Sequence, residues 1–527
     1  MRQYHDLHEH LEALEERGLL LRIERSINKD TELHPLVRWQ FRGSIPETER
    51  KAFFFESVTD SKGHQYDMPV VVAALAGSLD IYTVGMRCNT VDEINAKWEK
   101  ALKNPVSPIC VEKAVCQEVI VERPALEDQG LGRLPVPIST PGFDNGPYTT
   151  WSHWVTKHPV TGIRNVGNYR GQIKSNSRLG IYVLDYKDFW HHWRAAKELG
   201  KPLEAALVIG GPPFISYAAV QPVPYGTDEI SIAGGLAGEP IEVVKCKTID
   251  LEVPAQAEIV IEGRIPTDIL EPEGPFGESY GYVQLKNMMP FMDVTGITHR
   301  RDAVYVSFIS QVTPSESSKI KEVGYEPMLL KHLREDCSIP SVQRVAMHEP
   351  LANLRPYIVI QFKAPDQSDV WRAMYAVLGR YGDIGKIIVA VDEDIDPKDP
   401  ESVNWALCYR MQADADVEIV QGRRNSSKWK ILIPDEHRDK PTLSALLLNA
   451  TLKTALPPIS LPAREYMENA RAIWEELGLP RLKPRSPWYG YSLGEWPDEL
   501  AQEAELAVKG EYFKTGEKIS AQRKKIN

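Results

Sequence analysis

The stretch EPEGPFGESYGY places Glu273 and Glu278 on either side of a Gly-Pro-Phe-Gly turn, a spacing that brings two carboxylates to one site. Crowded carboxylates in a poorly hydrated pocket raise each other's pKa, so one holds a proton near neutrality while a neighbouring arginine keeps the other ionised. That is acid/base chemistry, although a solvated acidic turn is the commoner origin of such a spacing. A second stretch, RNVGNYRGQ, sets Asn165 and Arg170 among glycines that permit close approach of an anionic ligand. Arg170 suits a carboxylate clamp, since a planar guanidinium pairs bidentately with a substrate carboxylate or a glutamate; the alternative is a surface salt bridge worth little. SYAAVQPVPYGTDE ends in Glu229, and GDIGKIIVAVDEDID puts Lys386 ahead of an apolar strand. An Asn amide, a carboxylate and exposed carbonyls suit Mg2+, Mn2+ or K+ beside a phosphate, to which lysine adds a point charge. The acidic run at 392–396 is expected to cap its strand and face water.

These residues need rigid elements around them. Leu7, Leu11 and Leu14 recur at helical spacing before Gly18, and LLLRIERSI then reads as a strand, so the chain opens as an α/β lobe, residues 1–120. From 121 to 315 short apolar segments such as ALVIGG, AEIVIEGRIP and AVYVSFISQ are broken by Gly and Pro, as in an all-β or split-barrel unit. Over 316–460 the pattern alternates again: PYIVIQF and KIIVAV read as strands, and Val370, Met374, Val377 and Leu378 share a helical face. The end, 461–527, reads as a docking or oligomerisation helix carrying Met467, Ala470, Trp474 and Leu477, stopped at Gly478 and Pro480, with a mobile Lys-rich tail. The fold class expected is mixed α+β.

Composition narrows the function. The chain has 527 residues, enough for two to four structural units, and its net charge of -11 argues against general affinity for nucleic acid or anionic membrane. Six dispersed cysteines form no C-x-x-C pair, the N-terminus is charged rather than a signal peptide, and no apolar run spans a bilayer, so a cytoplasmic protein is expected. Neither a P-loop, nor H-E-x-x-H, nor G-x-G-x-x-G occurs. Two S-x-x-K matches, Ser318 with Lys321 and Ser427 with Lys430, read as chance surface occurrences.

Taken together, the motifs resemble the UbiD family, including its ferulic and cinnamic acid decarboxylases and 3-polyprenyl-4-hydroxybenzoate decarboxylases. The likeness is densest from about 151 to 405 and includes the family's Arg, Glu, Glu set at Arg170, Glu273 and Glu278. It implies an N-terminal α/β lobe, a split β-barrel holding prenylated FMN and a C-terminal α/β domain used in a homodimer or homohexamer. By the same resemblance Asn165, Val166, Gly167, Asn168, Tyr169, Arg170, Lys187, Asp188, Gln221 and Glu229 bind the cofactor, and Lys386 contacts its phosphate. Asn165, Glu229 and Asp188 hold a divalent metal, Mn2+ or Mg2+. The family's third ligand is usually histidine, so His191 is the alternative to Asp188. Carbonyls near Val166, Ala218, Ala219 and Gln221 surround K+.

The implied activity is reversible loss of CO2 from an aromatic or α,β-unsaturated acid, with Glu278 as proton donor and Arg170 and Glu273 setting orientation and charge. Losing CO2 from an sp2 carbon leaves a carbanion orthogonal to the π system, so an electron sink beyond amino-acid side chains is required. Whether the substrate is a free acid or a CoA thioester stays open; Lys319 and Lys321 are candidates for a CoA phosphate. A prenyl-FMN synthase is the implied supplier of cofactor. Two other classes remain: an FMN-dependent oxidoreductase, since split barrels also host flavin reductases, and a catalytically silent flavin-binding assembly protein.

Overall fold

The computed structural model describes residues 4–184, 187–221, 223–348, 356–380, 385–424, 442–483 and 494–522. Ser427 and Lys430 lie outside them. The fold is mixed α+β. The opening helix, Leu7–Glu16, is capped by Asp6, whose side chain accepts the Glu9 N–H, and it buries Leu7, Leu11 and Leu14. Gly18 follows at φ +66, and Leu20–Ile23 then pairs in parallel with Ala52–Phe55.

That N-terminal sheet is completed by Val70–Val72 and, in parallel with it, by Tyr305–Ser307. AVYVSFISQ therefore belongs to the first sheet and not to the central one. Its apolar run is buried on both faces, with Val304, Tyr305 and Val306 at most 3% exposed, which suits a parallel partner better than a half-wet antiparallel position. One hydrophobic core runs without a break from Tyr4 to Val323.

The central sheet has nine strands, and each recorded pairing within it is antiparallel. Leu203–Ile209 and Ile259–Ile265, read from ALVIGG and AEIVIEGRIP, lie side by side near its middle. The all-β expectation for this segment misses four helices among the described residues: Ala125–Gln129, Asp188–Glu198, Pro213–Ala219 and Glu229–Ala237. The last two are nearly all-apolar and buried along almost their whole length, so a helical period is masked.

A 16-residue helix, Glu316–Lys331, leads to a five-stranded C-terminal sheet in which Tyr357–Phe362, Ile387–Asp392 and Thr442–Ala450 run parallel. The helix Gln367–Arg380 buries Val370, Met374, Val377 and Leu378, as its spacing predicts. Beyond it the Arg464–Glu476 helix forms as read, with Gly478 at φ +64. Within the segment read as a mobile tail, Asp498–Val508 and Tyr512–Ser520 are helical. No helix among the described residues is long and apolar enough to cross a membrane.

Within the acidic run at 392–396, Asp392 and Asp394 do not face water, whereas Glu393 and Asp396 are partly exposed. Arg410 donates to Asp392 at 2.9 Å and to both oxygens of Asp394 at 2.7 and 2.6 Å, and the three side chains are 3%, 5% and 0% exposed. Charge spacing alone does not reveal a cation arriving from a helix 16 or more residues later. Removing one partner of a buried ionic cluster strands the others, at about 3–5 kcal/mol. Arg410→Met is expected to cost that much in urea unfolding; a loss below about 1 kcal/mol would show that the cluster is solvated.

Candidate active site

Arg170 sits between the strands Arg164–Asn168 and Gly171–Ser175, at the wall of a cavity of about 430 Å3. Its Nε and Nη2 donate to the two oxygens of Glu273 at 2.7 and 2.8 Å, while Nη1 donates to Glu278. The guanidinium lies over Tyr182, 4.0 Å from the ring centre, and 4.7 Å from that of Phe276. Burial opposes its charge, but Glu278 and Glu273 together raise its pKa above the ordinary arginine value. The sequence expectation that these three side chains meet is therefore realised in the geometry. Glu273 is fully buried and serves as the anchor, whereas Glu278 lines the cavity.

Both glutamates ride on the excursion between Ile259–Ile265 and Phe291–His299, folded as two short antiparallel pairs. Residues not singled out from the sequence hold it in place. Asn145 donates to the Gly274 carbonyl at 2.9 Å, the Tyr148 hydroxyl donates to the Pro275 carbonyl at 3.1 Å, and Asp144 accepts the Gly277 N–H at 3.2 Å. Gln172 in turn donates to Asn145 at 2.7 Å. Burial pushes the Asp144 carboxyl up to about 6. The signal available was the turn-rich GFDNGPY, which composition alone reads as a plain loop.

Across the cavity, Asn165, Val166, Gly167, Asn168, Tyr169, Lys187, Asp188, Gln221 and Glu229 also line the wall. Glu229 opens its helix beside the cap residue Asp228 and accepts the Val166 N–H at 2.9 Å. Burial pushes its carboxyl up to about 8, against the Val166 N–H, and Asp228 and Asp188 add to the rise. Burial likewise raises Asp188. Carboxyl groups crowded together and raised by burial are what a hard cation would relieve, so the donor set Asn165, Asp188 and Glu229 fits a divalent metal. Among the described residues no group of three or more His, Cys, Asp and Glu side chains gathers around one point, so the amide of Asn165 is needed. His191 is exposed, packs at a tilt against Tyr225 with ring centres 5.0 Å apart, and is absent from the cavity wall. Asp188, at the start of the same helix, takes the inward position.

Two of the three lysine expectations change. Lys386 is exposed at the head of the C-terminal strand Ile387–Asp392 and does not line the cavity. Lys319 is buried and paired with Glu322 at 2.8 Å and Glu47 at 3.0 Å, facing away from any rim. Lys321 does line the cavity, with Ser317 and Ile320 one turn of the same helix away. Nor is Ser318 a surface residue: it is buried and completes a capping box with Ser315. Of the carbonyl set, Val166, Ala219 and Gln221 reach the cavity wall, while the Ala218 carbonyl accepts the Gln221 N–H at 3.1 Å.

Gln221 has a second feature. Both atoms of its side-chain amide are buried, and neither finds a partner among the described residues. A Cβ on Gly324 would lie 1.9 Å from its Nε2, so the glycine in the cavity-lining helix makes the seat for this amide.

The 3-octaprenyl-4-hydroxybenzoate carboxy-lyase Rift-related domain (UbiD) matches residues 109–312, and the C-terminal domain of the same carboxy-lyase (UbiD_C) matches residues 320–428. An uncharacterized protein of Aquifex aeolicus is 32% identical over 441 residues, 80% of this chain and 87% of its own. The UbiD-class enzyme HmfF from Pelotomaculum thermopropionicum, solved as an evolved dimeric form in complex with prFMN, is 31% identical with a TM-score of 0.76, covering 89% of this chain and all of that one. The closed form of Sedimentibacter hydroxybenzoicus vanillic acid decarboxylase is 27% identical, with a TM-score of 0.77 over 90% of this chain and 100% of its own.

Two outcomes test this geometry. Gly324→Ala is expected to push the Gln221 amide from its seat and weaken flavin retention, read by fluorescence titration, with helix content unchanged; unaltered retention would remove Gln221 from the binding wall. In the metal-free protein Glu229 keeps its proton up to about pH 8 when folded but only to about 4.5 when unfolded. The stability from that proton is complete below the lower value and is lost as pH rises through the upper one. Added Mn2+ is therefore expected to raise the melting temperature near pH 8 in the wild type and not in Glu229→Gln. An equal rise in both would place the cation elsewhere.

Proposed function

The chain belongs to the UbiD family of carboxy-lyases, and from that premise we propose that it reversibly decarboxylates an aromatic or α,β-unsaturated carboxylic acid using prenylated FMN. The observation that carries this reading is the guanidinium of Arg170 shared between one buried and one cavity-facing glutamate. A flavin reductase needs no such set, because hydride transfer asks for no carbon acid, whereas loss of CO2 requires a proton to be returned to carbon.

When bound, prenylated FMN supplies the electron sink that no side chain offers. The residues do the rest. Glu273 fixes the guanidinium plane with two parallel hydrogen bonds, which leaves Nη1 directed at Glu278. One arginine faces two carboxylates, and of the two only Glu278 reaches the cavity where a substrate would sit. A substrate carboxylate entering the cavity competes with Glu278 for Nη1 and is thereby oriented. After CO2 leaves, the carboxyl of Glu278 delivers its proton to the carbon that bore it. Tyr182, Phe276, Phe308, Leu184 and Ile320 offer flat and apolar surface for an unsaturated ring or chain and help exclude water.

On the opposite wall Asn165, Asp188 and Glu229 would hold Mn2+ or Mg2+ beside the cofactor phosphate, with K+ at the carbonyls near Val166, Ala219 and Gln221. Lys187 and Lys321 are the lysines that line the cavity, on the side where an anionic group would be met. A prenyl-FMN synthase supplies the cofactor, and the enzyme works as a homo-oligomer in the cytoplasm.

The experiment is production alongside a prenyl-FMN synthase, mass spectrometry of the released ligand and an anaerobic screen of unsaturated acids for CO2 release. Prenylated FMN with acid-dependent CO2 is expected; ordinary FMN with NAD(P)H oxidation and no CO2 would make the protein an oxidoreductase. Glu278→Gln is expected to lower CO2 release by roughly 10²-fold or more while cofactor occupancy stays at the wild-type level. An active, fully loaded variant would remove Glu278 as the acid.

A further inference from the structure

The helix that lends Ser317, Ile320 and Lys321 to the cavity ends far from it in a π-turn, His332–Asp336, closed by the Cys337 N–H donating to the His332 carbonyl at 2.9 Å. Such turns widen the helix and bring side chains five residues apart onto one side. Here they join three groups. The Sγ of Cys337 lies 3.5 Å from Nε2 of His332, and Nδ1 of His332 lies 3.1 Å from the Asp336 carboxylate. The His332 hydrogen bond and the Lys331 ammonium at 3.2 Å hold the Asp336 carboxyl below its ordinary pKa. An ionised carboxylate only accepts, so Nδ1 carries the ring proton and the lone pair of Nε2 faces the thiol.

This is a nucleophile, a base and a group that orients the base, in hydrogen-bonding contact. Cys337 also opens onto a groove walled by Ile339, Trp371, Tyr375 and Ala376. Arg372 donates to the Cys337 carbonyl at 3.0 Å, which fixes the thiol at the groove's edge. Among the described residues no other cysteine is hydrogen-bonded to a histidine. Cys88 is buried, and burial pushes the Cys116 thiol up to about 12; Cys246 is raised for the same reason. Cys110 and Cys408 are the more exposed ones.

We propose that Cys337, with His332 and Asp336, is a reactive thiol site for soft electrophiles and hydroperoxides, separate from the decarboxylation cavity. With a hydroperoxide, the thiol proton passes to Nε2 of His332 and the sulfur attacks the terminal peroxide oxygen. The S–O bond forms as the O–O bond breaks, and the departing alkoxide takes the proton from His332. Sulfur is oxidised by two electrons to the sulfenic acid and the peroxide is reduced to an alcohol. The apolar groove suits a peroxide or electrophile with a small hydrocarbon or aryl group, and it stands at the joint between the cavity-lining helix and the C-terminal sheet.

The test uses the reduced full chain, iodoacetamide below one equivalent, and peptide mapping of all six cysteines; a parallel sample takes hydrogen peroxide with dimedone as the sulfenic-acid trap. Near neutral pH, Cys337 is expected to be alkylated about tenfold faster than Cys110 and Cys408, and to be the main site of dimedone labelling. His332→Gln is expected to bring its rate down to theirs, with the Cys110 and Cys408 rates serving as the check that the fold is intact. Should that variant fail the check, Asp336→Asn is expected to slow alkylation of Cys337 near neutral pH at unchanged exposure, with the Cys110 and Cys408 rates unaltered. Exposed cysteines reacting as fast as Cys337, or no change in the intact His332→Gln or Asp336→Asn protein, would overturn the proposal.

Discussion

A guanidinium buried against two carboxylates is costly unless each charge is met by a well-aligned partner. Arg170 is met on one side by two parallel bonds to Glu273 and on the other by Glu278, and aromatic faces at Tyr182 and Phe276 cover its plane. Much else follows from keeping that arrangement intact. The excursion that carries the glutamates has little sheet of its own, so Asp144, Asn145 and Tyr148 pin its backbone from the neighbouring loop. The antiparallel sheet then fixes where that loop and Arg170 stand. Glu273 takes no part in lining the cavity, so one carboxylate holds the guanidinium while the other faces the open space.

The opposite wall obeys a related constraint. Glu229 is nearly buried at the head of an apolar helix, and its carboxyl is pushed up rather than paired within the chain. Asp188 approaches from a second helix start and Asn165 from a strand. A third helix, Glu316–Lys331, closes the space: it turns Ser317, Ile320 and Lys321 inward, while Glu322 and Glu326 on another face take Lys398 from the C-terminal segment at 2.9 and 3.0 Å. One helix thus touches both the cavity and the C-terminal sheet, which couples their positions mechanically.

Local patterns made several of these features readable. The two glutamates straddle a turn, Arg170 lies among glycines, and the amphipathic helices at the start and in the C-terminal unit follow the 3.6-residue period. What escaped reading depends on partners distant in sequence. Nothing near 392–396 announces Arg410, and nothing near 305–307 announces Val70–Val72. Lys386 and Lys321 look alike as exposed-type residues, yet only the tertiary fold turns Lys321 to the cavity. Asp144, Asn145 and Tyr148 act through the backbone of another segment, a role that residue type does not mark. Gly324 looks like a weak point in a helix until the Gln221 amide is seen to occupy the space of its missing side chain.

In the proposed reaction Glu278 moves a proton to and from carbon while Arg170 and Glu273 hold it in place. Deuterium exchange into decarboxylated products, followed by NMR in D2O with cofactor-loaded protein, tests that step without needing net turnover. The account predicts one deuteron incorporated at the carbon that would carry the carboxyl group, and none in Glu278→Gln at equal cofactor occupancy. Exchange that persists in the fully loaded Glu278→Gln protein would contradict it.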